Sequence, residues 1–206
     1  MQLYQGSSDR YAMKAETKEL TDIVCEFLEV AIHLILHVRN VYPPEVFERR
    51  RYASVPVQWA RHPELQEYIH SAVQSLHEWL MQGAVQRVVV VLRDGSGKAV
   101  EKFVIQVGPL APHAPGSAPI AEIEEALRAV LMKLSVLEPP PEELPKDLSW
   151  EIVAHTNQPP AANGSREVTW VSADNTDLQE GPVITPIKSV KKGALQVQVY
   201  IEQLLD

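Results

Sequence analysis

Four residues with metal-binding or nucleophilic side chains recur at intervals of four along one apolar stretch: Cys25, Glu29, His33 and His37. Residues four apart share one face of a helix, so neighbouring side chains could bind a common metal ion. The pattern is not the His-Glu-x-x-His of zinc hydrolases, and the sequence shows no base to activate the Cys25 thiol. A metal-dependent enzyme that uses Glu29, His33 and His37 therefore remains one alternative, beside the simpler interpretation of a polar helix face.

A second candidate is the segment Asp94-Gly95-Ser96-Gly97-Lys98, whose composition resembles that of a phosphate-binding loop. It lacks the G-x-x-x-x-G-K-[ST] spacing and joins two strand patterns instead of opening a helix, so it predicts a hairpin turn. His62 and His155 each stand alone in the sequence. Because no set of residues forms a catalytic constellation, we expect neither an enzyme nor a bound cofactor.

The composition of the 206 residues is that of an ordinary globular protein, with 45% hydrophobic and 22% charged residues. A net charge of -8 differs from the basic balance of most dedicated nucleic-acid binders, so any contact with DNA is expected to run through a partner. The single cysteine, Cys25, excludes an internal disulfide and suits a reducing compartment. No apolar run reaches about 18 residues, so we expect no membrane span.

Three stretches have helical periodicity. The first, 15–41, follows a polar segment, 1–15, that we expect to be a flexible tail. It is apolar around most of its circumference, which predicts a spine helix wrapped by other elements. Further helices are predicted at 63–81, ended by Gly83, and at 120–136. The one polar strip of the spine helix contains Asp22, Glu26, Glu29, His33, His37 and Asn40.

Between and after these helices the periodicity is that of strands. The segment 195–202 alternates apolar and polar residues, which indicates one buried and one exposed face. A strand hairpin at 87–107 is followed by more isolated strands, so the sequence predicts a single α+β domain over 16–206. The strand segments are 54–57, 87–92, 99–107, 149–155, 167–172, 184–190 and 195–202.

The stretch VCEFLEVAIHLIL at 24–36 resembles the first helix of HORMA-domain proteins, in particular the accessory subunits of translesion DNA polymerase zeta. Further motifs agree in the same order over about 18–203. The connections at 108–119, 138–147 and 156–166 diverge, as surface loops do. The agreeing motifs are Val38–Pro43, Val55–Gln58, His62–Leu65, Val100–Val104, Ile184–Lys188 and Gln198–Glu202.

The resemblance implies a fold of three helices packed on a mainly antiparallel sheet, with residues 156–206 forming a safety belt and the terminal strands. A safety belt folds over a peptide that adds a strand to the sheet edge. The polar, turn-rich character of the chain after residue 156 fits this expectation. Belt closure is expected to slow the dissociation of the peptide.

Residue roles are also carried by the resemblance. Tyr68 and Trp170 match positions that contact the captured peptide, although their residue types alone favour a helix-surface aromatic and a core anchor. Ile184, Gln198 and Tyr200 match the surface that binds the C-terminal domain of a scaffold polymerase, a deoxycytidyl transferase. The family usually has leucine where this chain has Ile184.

Arg128 matches an arginine at the contact between two HORMA domains, and a solvated helix arginine is the alternative interpretation. The resemblance implies an adaptor of the nucleus, with the cytoplasm as an alternative location. Its main partners are expected to be the catalytic subunit of polymerase zeta and the scaffold polymerase. Another HORMA protein, a second copy of the chain and a remodelling ATPase are further possible partners. A checkpoint-type HORMA protein that sequesters cell-cycle activators is the alternative with the same fold.

Overall fold

The computed structural model describes residues 2–110, 118–137, 144–157, 170–171 and 182–203, with side chains from residue 13 onward. Residues 167–169 and 172 of the strand predicted at 167–172, and most of the 156–183 connection, lie outside these ranges, and residues 170–171 are described without strand structure. Among the described residues, no helix combines the length and the apolar character needed to cross a bilayer. The helices are α1 (Gln2–Val38), α2 (Pro63–Ser75), α3 (His77–Met81) and α4 (Ile120–Ser135).

Helix α1 begins at Gln2, which corrects the predicted tail over 1–15. No proline interrupts the first residues, and extending an existing helix costs far less than nucleating one. The helix ends where Asn40 adopts a left-handed φ of 51°. The amide of Asn40 donates to the carbonyl of His37, and that of Val41 donates to that of Leu36, the hydrogen bonds of a Schellman cap.

The predicted helix 63–81 is divided into α2 and α3 at Leu76. The Ser75 hydroxyl donates to the carbonyl of Ala72 at 2.6 Å, and such a side-chain bond competes with the helical ladder. Gly83 ends α3 with a φ of 66°, as its position in the sequence predicts.

The strands form a five-stranded antiparallel sheet in the order β5-β3-β4-β7-β6 and a separate hairpin, β1-β2. The hairpin β3-β4, the following strand and the alternating C-terminal strand confirm the sequence interpretation. The bounds are β1 (Phe47–Tyr52), β2 (Val55–Ala60), β3 (Val85–Arg93), β4 (Ala99–Val107), β5 (Ser149–Thr156), β6 (Val183–Lys192) and β7 (Leu195–Gln203).

The main core lies between the helices and one face of the sheet. Helix α1 is its centre, because apolar side chains cover nearly its whole circumference and are buried by α2, α4, β2 and the sheet. Leu34, on this helix, is 1% exposed. Alternate residues of the central strands point into the same core, among them Val88, Val90, Phe103 and Ile105.

A smaller apolar cluster occupies the sheet face opposite the helices. It consists of Val89, Val91, Ala99 and Val104, with Val153 and Tyr200 packed against it. Both faces of the central strands are therefore apolar, which explains the continuous valine run of β3.

One buried ion pair fixes the end of α1 to the sheet. The Arg39 guanidinium donates to the Glu101 carboxylate of β4 at 2.6 Å and 3.2 Å, and both side chains are almost fully buried. The same guanidinium lies 5.0 Å from the ring centre of Phe103. Because both charges of this contact are buried, removing one partner would leave the other without it in the protein interior, which is expected to be costly.

Strand β1 does not follow from the sequence pattern, since Glu48-Arg49-Arg50-Arg51 is charged throughout. It pairs with β2 through a two-residue turn in which Ala53 and Ser54 have φ angles of 45° and 69°. Such turns usually carry asparagine and glycine, so this turn lacks the usual signal.

Candidate functional site

The candidate peptide site lies along β5, at one edge of the five-stranded sheet. Strand β5 pairs with β3 on one side, and no described strand pairs with its other side. All but one of its residues are half-buried, as expected for an edge strand packed beneath helices. An edge of this kind presents a row of main-chain donors and acceptors that can pair with an added strand.

Three aromatic side chains meet beside this edge. Trp150 of β5 donates its indole N–H to the Tyr42 hydroxyl at 2.9 Å. The Tyr68 ring of α2 packs edge-on against Trp150, with ring centres 5.4 Å apart and an interplanar angle of 78°. Burial raises the pKa of the Tyr68 hydroxyl, and the Glu151 carboxylate adds to the effect. Since Tyr68 is still 50% exposed, the three rings form an apolar wall that faces solvent.

Trp170, in the connection between β5 and β6, contacts the C-terminal end of α2. Its indole N–H donates to the Ser75 hydroxyl oxygen at 2.9 Å. Its ring is tilted by 50° against Trp79 of α3, with 5.9 Å between ring centres. Tyr68 is part of α2, and Trp170 packs on the α2–α3 pair. Among the described residues, Tyr68 packs on Trp150 and Trp170 packs on Trp79, so the two rings belong to separate contacts.

The connection that contains Trp170 joins the two opposite edges of the sheet. At the β5 end, the Asn157 amide donates to the Ala84 carbonyl at 2.9 Å, just after α3. At the other end the chain enters β6, four strand positions away, or about 19 Å at the usual strand spacing. The described parts of this connection therefore begin at one edge of the sheet, contact α2–α3 at Trp170, and resume at the opposite edge.

The predicted scaffold-polymerase residues lie together on the other side of the sheet. Gln198 and Tyr200 alternate along β7, and Ile184 of β6 is opposite Glu202, the next residue on the same face. Cross-strand partners share a face, so all three side chains lie on the face opposite the helices. Ile184 is 59% exposed, whereas Gln198 and Tyr200 are half-buried. Tyr200 also packs on the small apolar cluster that contains Val104.

Arg128, the predicted dimer contact, is on α4. Its side chain is half-buried, and its Nε has no hydrogen-bond partner among the described residues. Met132 and Val136, one and two turns farther, are 56% and 72% exposed. Beside them is a cavity of about 210 Å³ lined in part by Ser135 of α4 and Arg49 of β1. This face combines exposed apolar and basic groups.

The spine-helix residues of the metal hypothesis make separate contacts. His33 is fully buried, which corrects its place on an exposed polar strip. Its ring packs 4.1 Å from that of Trp59, and its Nδ1 accepts the Ala60 amide at 3.4 Å. Burial, reinforced by Arg50, lowers the pKa of His33 to about 4.

Glu29 pairs with His70 at 3.2 Å, and His37 packs against Phe47. Burial raises the pKa of the Cys25 thiol to about 12, so the nucleophilic thiolate is strongly disfavoured. Within the described ranges, no group of three or more His, Cys, Asp or Glu side chains is placed to hold a metal ion.

The sequence did not identify Trp150, Tyr42, Ser75 or Trp79 as site residues. Their only signals were aromatic or hydroxyl side chains near the ends of predicted elements. Their importance depends on tertiary contacts between α1, α2 and β5 that helical or strand periodicity does not contain.

Comparison with known proteins identifies the fold family. The HORMA domain model matches residues 21–115. The DNA polymerase zeta processivity subunit of Arabidopsis thaliana is 37% identical over 188 residues, which cover 91% of this chain and 87% of that protein. The mitotic spindle assembly checkpoint protein MAD2B of Homo sapiens is 34% identical over 192 residues, with 89% and 90% covered.

Solved structures agree with the fold. A chain in the crystal structure of the mitotic checkpoint complex superposes with a TM-score of 0.71 at 18% identity, covering 90% of this chain and 99% of that one. The structure of C. elegans HTP-1 bound to the HIM-3 closure motif has a TM-score of 0.69 at 14% identity and covers 92% of each chain. The chain belongs to the HORMA domain family, and within it resembles the accessory subunits of DNA polymerase zeta.

Proposed function

We propose that the chain is a non-enzymatic adaptor that captures a peptide of the catalytic subunit of DNA polymerase zeta along the free edge of β5. The observation that carries this proposal is the half-exposed Tyr68 ring, packed on Trp150 beside that edge. An added peptide strand would gain main-chain hydrogen bonds from β5 and apolar contact from the aromatic wall. The C. elegans HTP-1 structure, which has the same fold, holds the HIM-3 closure motif, and this supports the proposed mode of binding.

The second part of the proposal is that Ile184, Gln198 and Tyr200 bind the C-terminal domain of a scaffold translesion polymerase. Their side chains share one face of the sheet, which supports a joint surface. Strands β3 and β4 lie between β7 and the β5 edge, so this surface is separate from the peptide site. The adaptor would thus join a catalytic subunit to a scaffold in the nucleus during DNA damage tolerance. Contact with DNA would come through these polymerases, in keeping with the net charge of -8.

The test is affinity purification of the tagged chain from cells treated with a DNA-damaging agent. The catalytic subunit of polymerase zeta and the scaffold polymerase are expected to co-purify. A Tyr68→Ala, Trp170→Ala variant is the matched control and is expected to retain the scaffold polymerase alone. Recovery of neither polymerase with the wild-type chain would contradict the proposal.

A checkpoint role is the second candidate function, because relatives bear the name mitotic spindle assembly checkpoint protein. In that case the same purification would recover cell-cycle activators in place of polymerase subunits.

The α4 face with Arg128 is proposed to contact a second HORMA domain, either another protein or a second copy. Arg128→Ala is expected to shift the chain towards monomer in sedimentation analysis, and an unchanged distribution would contradict this contact. A remodelling ATPase that opens the belt is a further proposed partner.

A further inference from the structure

Strand β1 carries three consecutive arginines, Arg49-Arg50-Arg51, just before the turn of the β1–β2 hairpin. All three side chains are exposed, and among the described strands β1 pairs with β2 alone. The run is therefore extended, and an approaching protein can reach both its side chains and the outer edge of the strand. In a chain whose net charge is -8, this is a local concentration of positive charge, which favours a partner of negative charge.

Ser54 is the second residue of the two-residue turn that follows this run. Its side chain is exposed, and its hydroxyl forms no hydrogen bond to another described residue. It lies three residues after Arg51 and five after Arg49. A hydroxyl at an exposed turn is accessible to a modifying enzyme, so the chain places an accessible acceptor directly behind a row of cations.

The arginines that precede Ser54 in sequence are also its neighbours in space. Ser54 lines a surface cavity of about 390 Å³ together with Arg49, Arg50, Arg51 and Pro56. Strand alternation puts Arg49 and Arg51 on the same side of β1. Arg51 is the cross-strand partner of Pro56, which follows Ser54 by two residues. A group attached to the Ser54 hydroxyl would therefore enter a cavity whose walls are positively charged.

Two of the three arginines are available to a ligand in this cavity. The Arg50 guanidinium donates to Glu48 at 2.6 Å and lies 5.3 Å from the centre of the Trp59 ring, so it is already held. Among the described residues, no carboxylate forms an ion pair with Arg49 or Arg51. A guanidinium binds phosphate oxygens through paired N–H donors, so these two side chains suit a phosphate group.

We propose that Ser54 is phosphorylated by an arginine-directed serine/threonine kinase, and that Arg49 and Arg51 hold the phosphate once it is attached. Such a kinase reads the arginines before the acceptor through an acidic groove, because complementary charge sets its specificity. The Ser54 Oγ forms a bond to the γ-phosphorus of ATP, the bond from that phosphorus to the bridging oxygen breaks, and ADP leaves. The hydroxyl proton passes to the catalytic aspartate of the kinase. The phosphate adds about −1.5 to −2 charge, which cancels much of the positive charge of the hairpin.

Ser96, in the turn between β3 and β4, is an internal comparison. It is also exposed and also follows an arginine, Arg93, by three residues. However, the Ser96 hydroxyl donates to the Asp94 carboxylate at 2.6 Å, and Arg93 donates to Glu151 at 2.7 Å. The neighbouring carboxylates oppose both an acidic groove and an added phosphate, so the same kinase should modify Ser54 and leave Ser96 unmodified.

The first experiment incubates the full-length protein with protein kinase B, ATP and Mg²⁺, and mass spectrometry locates the phosphate. One phosphoryl group is expected at Ser54 and none in Ser54→Ala, while an acid-directed casein kinase should leave Ser54 unmodified. Arg49→Gln combined with Arg51→Gln should lower kcat/KM for the modification at least about 10-fold. Arg61→Gln is the matched control, because Arg61 is an exposed arginine that follows the serine. The absence of phosphate at Ser54, or an undiminished rate in the double variant, would overturn the proposed site.

The second experiment tests whether the arginines hold the phosphate. Phosphoserine is incorporated at position 54 during translation, so the double arginine variant carries the same phosphate without needing the kinase. Phosphorus NMR measures the second pKa of the phosphate, which is about 6 in a free phosphoserine. With Arg49 and Arg51 present this pKa should be lower, by about 0.5 or more, than in Arg49→Gln combined with Arg51→Gln. Equal pKa values in two proteins that circular dichroism shows to be folded would overturn the proposed role of the two arginines.

Discussion

The two proposed partner surfaces lie on the same sheet but are built differently. At the β5 edge, aromatic side chains from separate elements are positioned by side-chain hydrogen bonds, such as Trp150 to Tyr42 and Trp170 to Ser75. On β6 and β7, Ile184, Gln198 and Tyr200 take their positions from the strand ladder itself. The first surface depends on tertiary contacts, whereas the second depends mainly on register.

This difference has consequences for mutation. A change to one side chain at the β5 edge can displace its neighbours, because each ring is located by another side chain. A change on β7 removes a contact but leaves the backbone pairing that positions the remaining residues. The two surfaces should therefore differ in how far the effect of a substitution extends.

The substitution with the largest expected effect, Leu34→Asp, should disrupt both surfaces together. Leu34→Asp places a charge in the centre of the main core, where the side chain is 1% exposed, and should destabilise the fold by about 4 kcal/mol. Met132→Asp, on the exposed side of α4, is the control and should change stability by less than about 0.5 kcal/mol. Urea denaturation measures both. A small loss in Leu34→Asp would mean that α1 is not the core of the two surfaces.

Acid should weaken the scaffold that both surfaces share. The pKa of His33 is lowered to about 4 in the fold, mainly by burial, so the unfolded chain binds a proton at higher pH. The stability that uncharged His33 contributes to the fold is therefore fully present above about pH 6.5. It is lost as the pH falls towards 4, by about 3 kcal/mol in total.

Urea denaturation between pH 7.5 and 5 should show a smaller loss of stability in His33→Leu than in the wild type. His62→Gln, at an exposed histidine, is the control. Equal pH dependence in wild type and His33→Leu would exclude His33 as the source. The comparison of the two surfaces is best made above pH 6.5.

The β5 edge alone is tested by Tyr68→Ala combined with Trp170→Ala. Large aromatic anchors commonly contribute about 2 kcal/mol or more when truncated, so peptide affinity should fall at least about 100-fold. Titration with the scaffold C-terminal domain should give an unchanged affinity. A folded variant that loses both partners would show that the surfaces are coupled and not separate.

The sequence predicts the positions that periodicity determines and misses those that tertiary contacts determine. Alternation in β7 predicted the face shared by Gln198 and Tyr200, because strand periodicity alone determines it. The buried state of His33 was missed, since helical spacing does not reveal that Trp59 covers that side of α1. The break after Ser75, whose hydroxyl bonds the Ala72 carbonyl, was also missed, because the apolar periodicity of 63–81 continues across it.

The β7 surface is tested by Gln198→Ala combined with Tyr200→Ala. Loss of one half-buried ring and one amide should weaken scaffold binding by about 10- to 30-fold. Peptide capture should be unchanged, because strand pairing of β7 with β4 and β6 uses main-chain groups. Isothermal titration with each partner measures the effect. If peptide capture falls by the same factor, the ladder does not isolate this surface.

The substitution with the smallest expected effect, Tyr42→Phe, tests whether one side chain at the β5 edge positions another. Tyr42→Phe keeps the ring but removes the acceptor of the Trp150 indole N–H, which is bonded at 2.9 Å. The loss of one such bond is about 1 kcal/mol, so peptide affinity should fall about 5-fold, although Tyr42 need not touch the peptide. Tyr52→Phe is the matched control, because Tyr52 lies on the separate β1–β2 hairpin and its hydroxyl donates to Glu26 of α1 at 3.2 Å. Fluorescence anisotropy with the labelled peptide measures affinity, and near-ultraviolet circular dichroism reports the Trp150 environment. If Tyr42→Phe changes the dichroism but leaves affinity unaltered, the aromatic wall does not need hydrogen-bonded positioning, and the contrast between the two surfaces would lose its physical basis.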